Sequence, residues 1–310
     1  MPLATPKPGN ASKNLPIPHP IAPPMNTLAL ALVSGLLYGC SLLLVSIGLT
    51  LIFGVGRVVN FAHGTLYALV AFMGAPLSPL IGFWAACLAA PAIVAAIAAC
   101  LDLLVVRRLR RHGEMAVLLF TFGLGIVIDA AIVGVWGARS YTVPMPSGLS
   151  GSIPLFAGQV SVYSLFLAAV SLSVAALLVA ALHLTSYGLK LRAAAEDPAT
   201  AEIAGIDTSR AFTAVFALGS ALAAFAGVLV LPPIGASNGM DLTITVLVFI
   251  IVITGGLGSL PGTALASLLI GVILTLGATY ASSAAYLLLF VAVMAMLLLR
   301  PFGLVPSRAS

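Results

Sequence analysis

The sequence predicts an all-α fold, a polytopic membrane helical bundle of about eight to nine transmembrane spans, and three observations lead there. Of its 310 residues 61% are hydrophobic and only 7% charged, with a mean hydropathy of +1.20, whereas soluble domains are about 25% charged. The apolar runs reach the roughly 20 residues that cross a bilayer as helix. The basic residues fall between these runs and gather on one side of them. Too few polar residues remain to cover a soluble core, and the runs lack the alternation of roughly ten-residue barrel strands.

Taken in order, residues 1–24 hold eight prolines and no apolar core, which predicts a disordered tail rather than a signal peptide or helix. Met25 directly precedes the first apolar run and is a candidate natural start. Residues 25–301 form the transmembrane domain and 302–310 a cytoplasmic tail. The spans read as Thr27 to Phe53, Phe61 to Ile81, Phe83 to Val106, Ala116 to Trp136, Val160 to Leu184, Ala211 to Leu231, Leu242 to Thr254, Thr263 to Tyr280 and Ala284 to Leu299. Leu242 to Thr254 is too short to cross upright, and Phe61 to Ile81 carries His63, Pro76 and Pro79, so either is a candidate re-entrant segment. Small residues on the spans, among them Gly35 and Gly39, and Ser267 with Gly271, favour close helix packing.

With the N-terminus outside, ten of the 13 basic residues fall inside and only Lys7, Lys13 and Arg139 outside. That bias is the positive-inside rule. It explains the net charge of +5 through topology, without nucleic acid. Cys40, Cys87 and Cys100 sit inside apolar runs without Cys-x-x-Cys spacing and read as packing residues, so no metal site is expected.

The loop of about 188–210 contains a complete short helix. Asp197 is a good N-cap, Pro198 suits the first helical position, and Gly205 can take the left-handed conformation that ends it. Asp207 can cap the next span. So short a helix is marginal in water unless it packs on something, either as a surface helix on the bundle or as a docking element for a cytoplasmic partner.

Within the membrane, the stretch Gly48 to Gly64 is polar and glycine-broken. Asn60, His63 and Arg57 must there face protein, water or a solute rather than lipid. Asn60 is expected to cap the second span and to place His63 in its first turn, bonding a neighbour or facing the pathway. Asp129 lies well inside the fourth span as the most expensive charge of the chain; Asp102 is closer to the interface, with Arg107 and Arg108 just beyond it. Gly255, Gly256, Gly258, Ser259 and Gly262, with Pro261, suit either an unwound, cavity-lining segment or a plain interhelical turn. No Gly-x-x-x-x-Gly-Lys-Ser/Thr loop is present, so phosphates are not cradled in that way.

Three of these stretches together resemble ABC importer permeases of the branched-chain amino acid type, specifically the LivH-type subunit. Arg192, Ala193, Asp197, Ala201, Gly205 and Ile206 match recurring positions of that family's coupling loop. Gly48 through Gly64 is similar to its first membrane signature, and Gly255 to Gly262 to its glycine-rich one. The likeness runs from about Met25 to Pro301. It implies an ABC importer permease fold in a bacterial inner membrane, a second, different permease completing the pore, two separate ATP-binding subunits that use the ATP, and an extracytoplasmic solute-binding protein. No cofactor on this chain and no enzymatic activity of its own are implied. Glu196, Asp197 and Pro198 are then expected at the docking surface, and Asn60, His63, Gly64, Asp129 and the glycine-rich turn along the translocation path. The alternatives are a permease for urea or short amides, and a self-sufficient channel or secondary transporter.

Overall fold

The computed structural model describes residues 25–155 and 158–305; the proline-rich tail, the question of the start and the last five residues lie outside them. Among the described residues eight helices are long and apolar enough to cross a membrane. They are α1 (Met25–Gly56), α2 (His63–Ile81), α3 (Phe83–His112), α4 (Glu114–Trp136), α5 (Val162–Leu184), α8 (Thr208–Leu229), α11 (Leu260–Tyr280) and the C-terminal α12 (Ala285–Leu299), which a single 3-10 turn precedes. Between α5 and α8 lie two short helices, α6 (Ser186–Glu196) and α7 (Pro198–Ile203). Between α8 and α11 lie α9 (Leu231–Ile234) and the 16-residue α10 (Met240–Gly255). A hairpin of β1 (Ser152–Leu155) and β2 (Gly158–Ser161), paired antiparallel, sits in the α4–α5 loop; the Gly, Pro and Ser content of that loop gave no sign of it.

The helices follow the apolar runs because backbone polar groups in hydrocarbon must be satisfied within the segment itself. Counting α10 as the short ninth crossing, an outside N-terminus puts the α6–α7 pair and the α10–α11 turn on one side, and the hairpin and α9 on the other. Contacts between distant residues agree with this. Tyr141 and Ala236 exchange both backbone hydrogen bonds on the outer side, while Leu304 and Val305 donate to the carbonyls of Thr254 and Gly255 on the inner side. These last two bonds satisfy orphan carbonyls at the end of α10.

The core is built on α1, which packs along α11, α8 and α5. Small residues set the spacing: a Cβ on Gly39 would lie 2.7 Å from the Cα of Leu268, and one on Gly271 2.5 Å from the carbonyl oxygen of Gly35. Likewise a Cβ on Gly219 of α8 would meet the carbonyl of Gly48 at 2.6 Å. Thr50 and Thr263 then share a 2.7 Å hydrogen bond across the α1–α11 seam. Helices α2 and α8 are the most enclosed, and α4, α5 and α12 present broad apolar faces outward.

Candidate functional site

One end of the bundle, the end that the basic residues predict to be cytoplasmic, carries a helix pair. Helix α6 is capped by Thr185, whose hydroxyl accepts from the Gly188 N–H at 3.0 Å, and it buries Gly188, Leu191 and Ala194. Asp197 then breaks the chain direction and starts α7. Its Oδ1 accepts from the N–H groups of Ala199 and Thr200 at 3.1 and 3.2 Å, and its Oδ2 from the Thr200 hydroxyl. Pro198 occupies the first turn. At the other end Gly205 takes φ +80°, with Gly205 N–H bonded to the Glu202 carbonyl and Ile206 N–H to the Ala201 carbonyl, the pairing of a Schellman motif. The Asp207 carboxylate caps α8 through the Arg210 N–H at 2.9 Å.

One residue of α7 is buried, and Glu202 accepts from the Thr208 hydroxyl at the start of α8. Ala201 is that buried residue, seated in a cluster with Val58, Val106, Leu191 and Phe212. The rest of the helix stands in solvent, and Ile203 is 88% exposed. An aliphatic side chain so exposed beside Glu202 fits a contact surface, yet Ile203 carried no signal of its own in the sequence.

The Thr200 hydroxyl first, and then the Thr200 and Ala199 amides, hold the Asp197 carboxyl below the usual carboxylate range. Its folded pKa being depressed, the cap is fully present at neutral pH and is lost only as pH falls through that lowered value. The Asp197→Ala variant, which removes the acceptor, is expected to reduce several-fold the co-purification of any partner that docks on α7. Asp197→Asn, which keeps an acceptor, should retain most of it. Normal assembly and transport by the alanine variant would sink this role.

The polar stretch after α1 is non-helical from Arg57 to Ala62, and Arg57 adopts φ 51°. It is enclosed by protein, as bare backbone at membrane depth must be: Val58, Asn60 and Ala62 are nearly inaccessible. Asn60 does not cap α2 in the expected way. Its Oδ1 accepts from Ala62 N–H, two residues on, at 3.1 Å, closing a local turn just before the helix. Thr121 of α4 supports the same stretch, accepting from Phe61 N–H at 3.2 Å. His63 does open α2, and its Nε2 lies 3.0 Å from the Val45 carbonyl oxygen. Because that oxygen only accepts, Nε2 carries the proton. The Nδ1 of His63, the amide nitrogen of Asn60 and the hydroxyls of Ser46 and Ser220 are buried without a hydrogen-bond partner among the described residues. Gly64 lets α2 meet α10, since a Cβ there would run into the Thr245 side chain.

The acidic residues are ordered otherwise than the sequence suggests. Asp129 is half-buried on α4, within electrostatic reach of Asp241 at the start of α10. Asp102 is the fully buried carboxylate. It accepts from the Thr213 hydroxyl of α8 at 2.5 Å and lies 3.8 Å from Arg110, whose guanidinium is stacked 3.7 Å from the centroid of Phe212. Arg110, rather than the nearer Arg107 or Arg108, makes the ion pair. Gly255 to Gly262 forms the α10–α11 turn, Ser259 capping α11 through Gly262 N–H at 3.2 Å, and the tail segment covers Gly256. The structure therefore brings Asn60, His63 and Gly64 together, and holds Asp129, the turn and the cytoplasmic pair at three other places.

A bundle of eight helices long and apolar enough to cross a membrane defines the class, a multi-pass membrane protein. The family model described as "Branched-chain amino acid transport system / permease component" matches residues 31–299, and the chain belongs to that family. It is similar to the high-affinity branched-chain amino acid transport system permease protein BraD of Pseudomonas aeruginosa, 28% identical over 289 residues, covering 88% of this chain and 94% of that one. It is also similar to the corresponding permease protein LivH of Escherichia coli, 27% identical over 277 residues, with 81% and 86% covered. A probable LivH of Methanocaldococcus jannaschii is 29% identical over 294 residues, with 88% and 91% covered. No solved structure gives a significant match. These names favour the branched-chain reading over urea or short amides.

Proposed function

We propose that this chain is the LivH-like permease of an ATP-driven importer in a bacterial inner membrane, moving branched-chain or other aliphatic amino acids. In this reading a second, different permease completes the pathway, a solute-binding protein delivers the amino acid outside, and two ATPase subunits bind and hydrolyse ATP inside. The single observation that carries the reading is α7, capped at both ends, with Ala201 as its one buried residue and the rest exposed. A self-sufficient channel gives no reason for such a helix.

Arg192, Ala193, Glu196, Asp197, Pro198, Ala201, Ile203 and Gly205 form or support the ATPase-facing surface. ATPase closure moves α6 and α7, and because Ala201 and Leu191 share one apolar cluster with Phe212 and Val106, the movement passes to α8 and α3 as packed elements. Asp129 and Asp241 mark the face of α4 and α10 that borders water or the second permease, since a half-buried carboxylate facing lipid is too costly. Asn60, His63 and Gly64, sealed between α1, α2 and α10, act on the pathway through the position of α2; Gly255, Gly256, Gly258, Ser259 and Gly262 fix where α11 begins.

The test is subunit inventory and uptake together. Gentle purification from the native membrane should yield a second permease and two ATP-binding subunits, and vesicles holding that complex should take up leucine only with ATP inside and the binding protein outside. Recovery of this chain alone, with gradient-driven uptake, would overturn the proposal in favour of a secondary transporter.

A further inference from the structure

The break after α1 leaves Arg57 with no part in the pathway or in the docking helix. This residue ends α1 with φ 51° and is the one non-glycine with a positive φ among the described residues. Its N–H bonds the Phe53 carbonyl at 2.8 Å, in a position where helices usually place glycine because a side chain is strained there. The side chain is exposed and makes no ion pair among the described residues. Such strain persists where the surroundings hold it, and it gathers at ligand clamps.

Arg57 lines a cavity of about 260 Å³ with Val58, Arg110, Glu114 and Pro198. Pro198 is the first residue of α7 and is exposed, so the cavity lies beside the docking helix. Arg110 is held from behind. Its guanidinium stacks on Phe212, and a Cβ on Gly56 would run into that same ring. The 3.8 Å from Arg110 to Asp102 is too long for a hydrogen bond. Nε and Nη2 of Arg110 have no acceptor among the described residues. The guanidinium is thus fixed in place with its donors unsatisfied.

Charge and size select the occupant. Two guanidiniums and one carboxylate, that of Glu114, line the cavity, which leaves one positive charge. Asp102, behind Arg110, is also within electrostatic reach of Arg107, so the balance stands. A single carboxylate neutralises it, whereas a phosphate dianion overshoots. The volume falls below the roughly 300 Å³ at which sites for free small ligands begin, which argues against a nucleotide and suits a side chain.

We propose that Arg57 and Arg110 form a socket for one Asp or Glu side chain of the ATP-binding subunit that docks on α7. Guanidinium groups suit this role because their forked donors match the two oxygens of a carboxylate. One partner thereby holds α7 and the α1–α2 link at once, and its movement pulls directly on the bare segment from Arg57 to Ala62 that leads to His63. This inference rests on the importer reading above and adds a second point of attachment, on a different element from the docking helix.

The test uses the whole transporter, purified gently from its native membrane. Arg57→Lys complexes are treated with a water-soluble carbodiimide, which joins the introduced amine to an adjacent carboxylate as an amide while one carboxylate oxygen leaves on the reagent. Peptide mass spectrometry should find position 57 joined to an Asp or Glu of the ATP-binding subunit. Arg57→Glu should lower the ratio of ATP-binding subunit to this chain roughly five- to tenfold at physiological salt, through like-charge repulsion. Arg57→Gly removes both the guanidinium and the strain. It should lower that ratio roughly two- to fivefold, while the chain in detergent unfolds at no lower a temperature than the native one. A merely structural Arg57 would move both readings together. Two results would overturn the socket and leave the importer reading standing. One is coupling of position 57 to Glu114 or to lipid but not to the ATP-binding subunit; the other is full retention of that subunit by Arg57→Glu. Native preparations that contain no ATP-binding subunit would overturn both.

Discussion

Replacing Gly271 by valine is expected to sharply reduce stable accumulation of the protein. At Gly271 an added Cβ meets backbone, the Gly35 carbonyl and the Gly39 nitrogen of α1. No flexible side chain there can move aside. The helices would have to separate along the seam that α1 shares with α11, opening the Thr50–Thr263 hydrogen bond as well. Overpacking of a core commonly costs about 1–3 kcal/mol, and a backbone collision at a helix crossing falls at the upper end. Gly271→Val should therefore be scarce in the membrane and lower the unfolding temperature of the detergent-solubilised chain by several degrees, with Gly271→Ala between it and the native protein. A valine variant that accumulates and melts like the native one would show that the seam is not tight.

Asp102→Ala should be the most damaging of the charge substitutions. Removing this carboxylate leaves the Thr213 hydroxyl only the Ser209 carbonyl as acceptor and takes the opposite charge from the Arg110 guanidinium 3.8 Å away, and breaking one side of a buried ion pair costs about 3 kcal/mol. Removing both charges, in Asp102→Ala with Arg110→Met, should be less harmful than the two single changes added together, because neither charge is then stranded. Additive losses in a thermal double-mutant cycle would dismiss the pair. The same network joins α3 to α8 beside the anchor of α7, so the single variant is also expected to lose transport more than ATPase activity.

Much of the fold was legible in the sequence for a physical reason. Hydrocarbon tolerates so few polar groups that apolar runs mark the spans, and α2, α4 and α5 begin within about two residues of their expected starts. The caps of α7 were legible too, because Asp197, Pro198 and Gly205 each act through local backbone chemistry. Helix α6 was not seen as a helix. It is short, and its buried face amounts to Gly188, Leu191 and Ala194, which is too little for a periodic signal. The rank of Asp102 was hidden for a different reason. On a regular helix residue 110 would lie about 80° round from residue 102. The π turn at Asp102–Val106 takes up one extra residue and returns Arg110 toward the same face, a change that residue spacing cannot reveal. Likewise the bond from Phe61 N–H to Thr121 depends on a distant element that residue spacing does not show.

The 16 residues of α10 measure about 24 Å along the axis, against a hydrocarbon layer of about 30 Å. Where lipid meets the exposed Leu242 at its outer end, the mismatch of several ångströms costs a fraction of a kcal/mol for each one. By that arithmetic α10 is better matched to a thin bilayer than to a thick one.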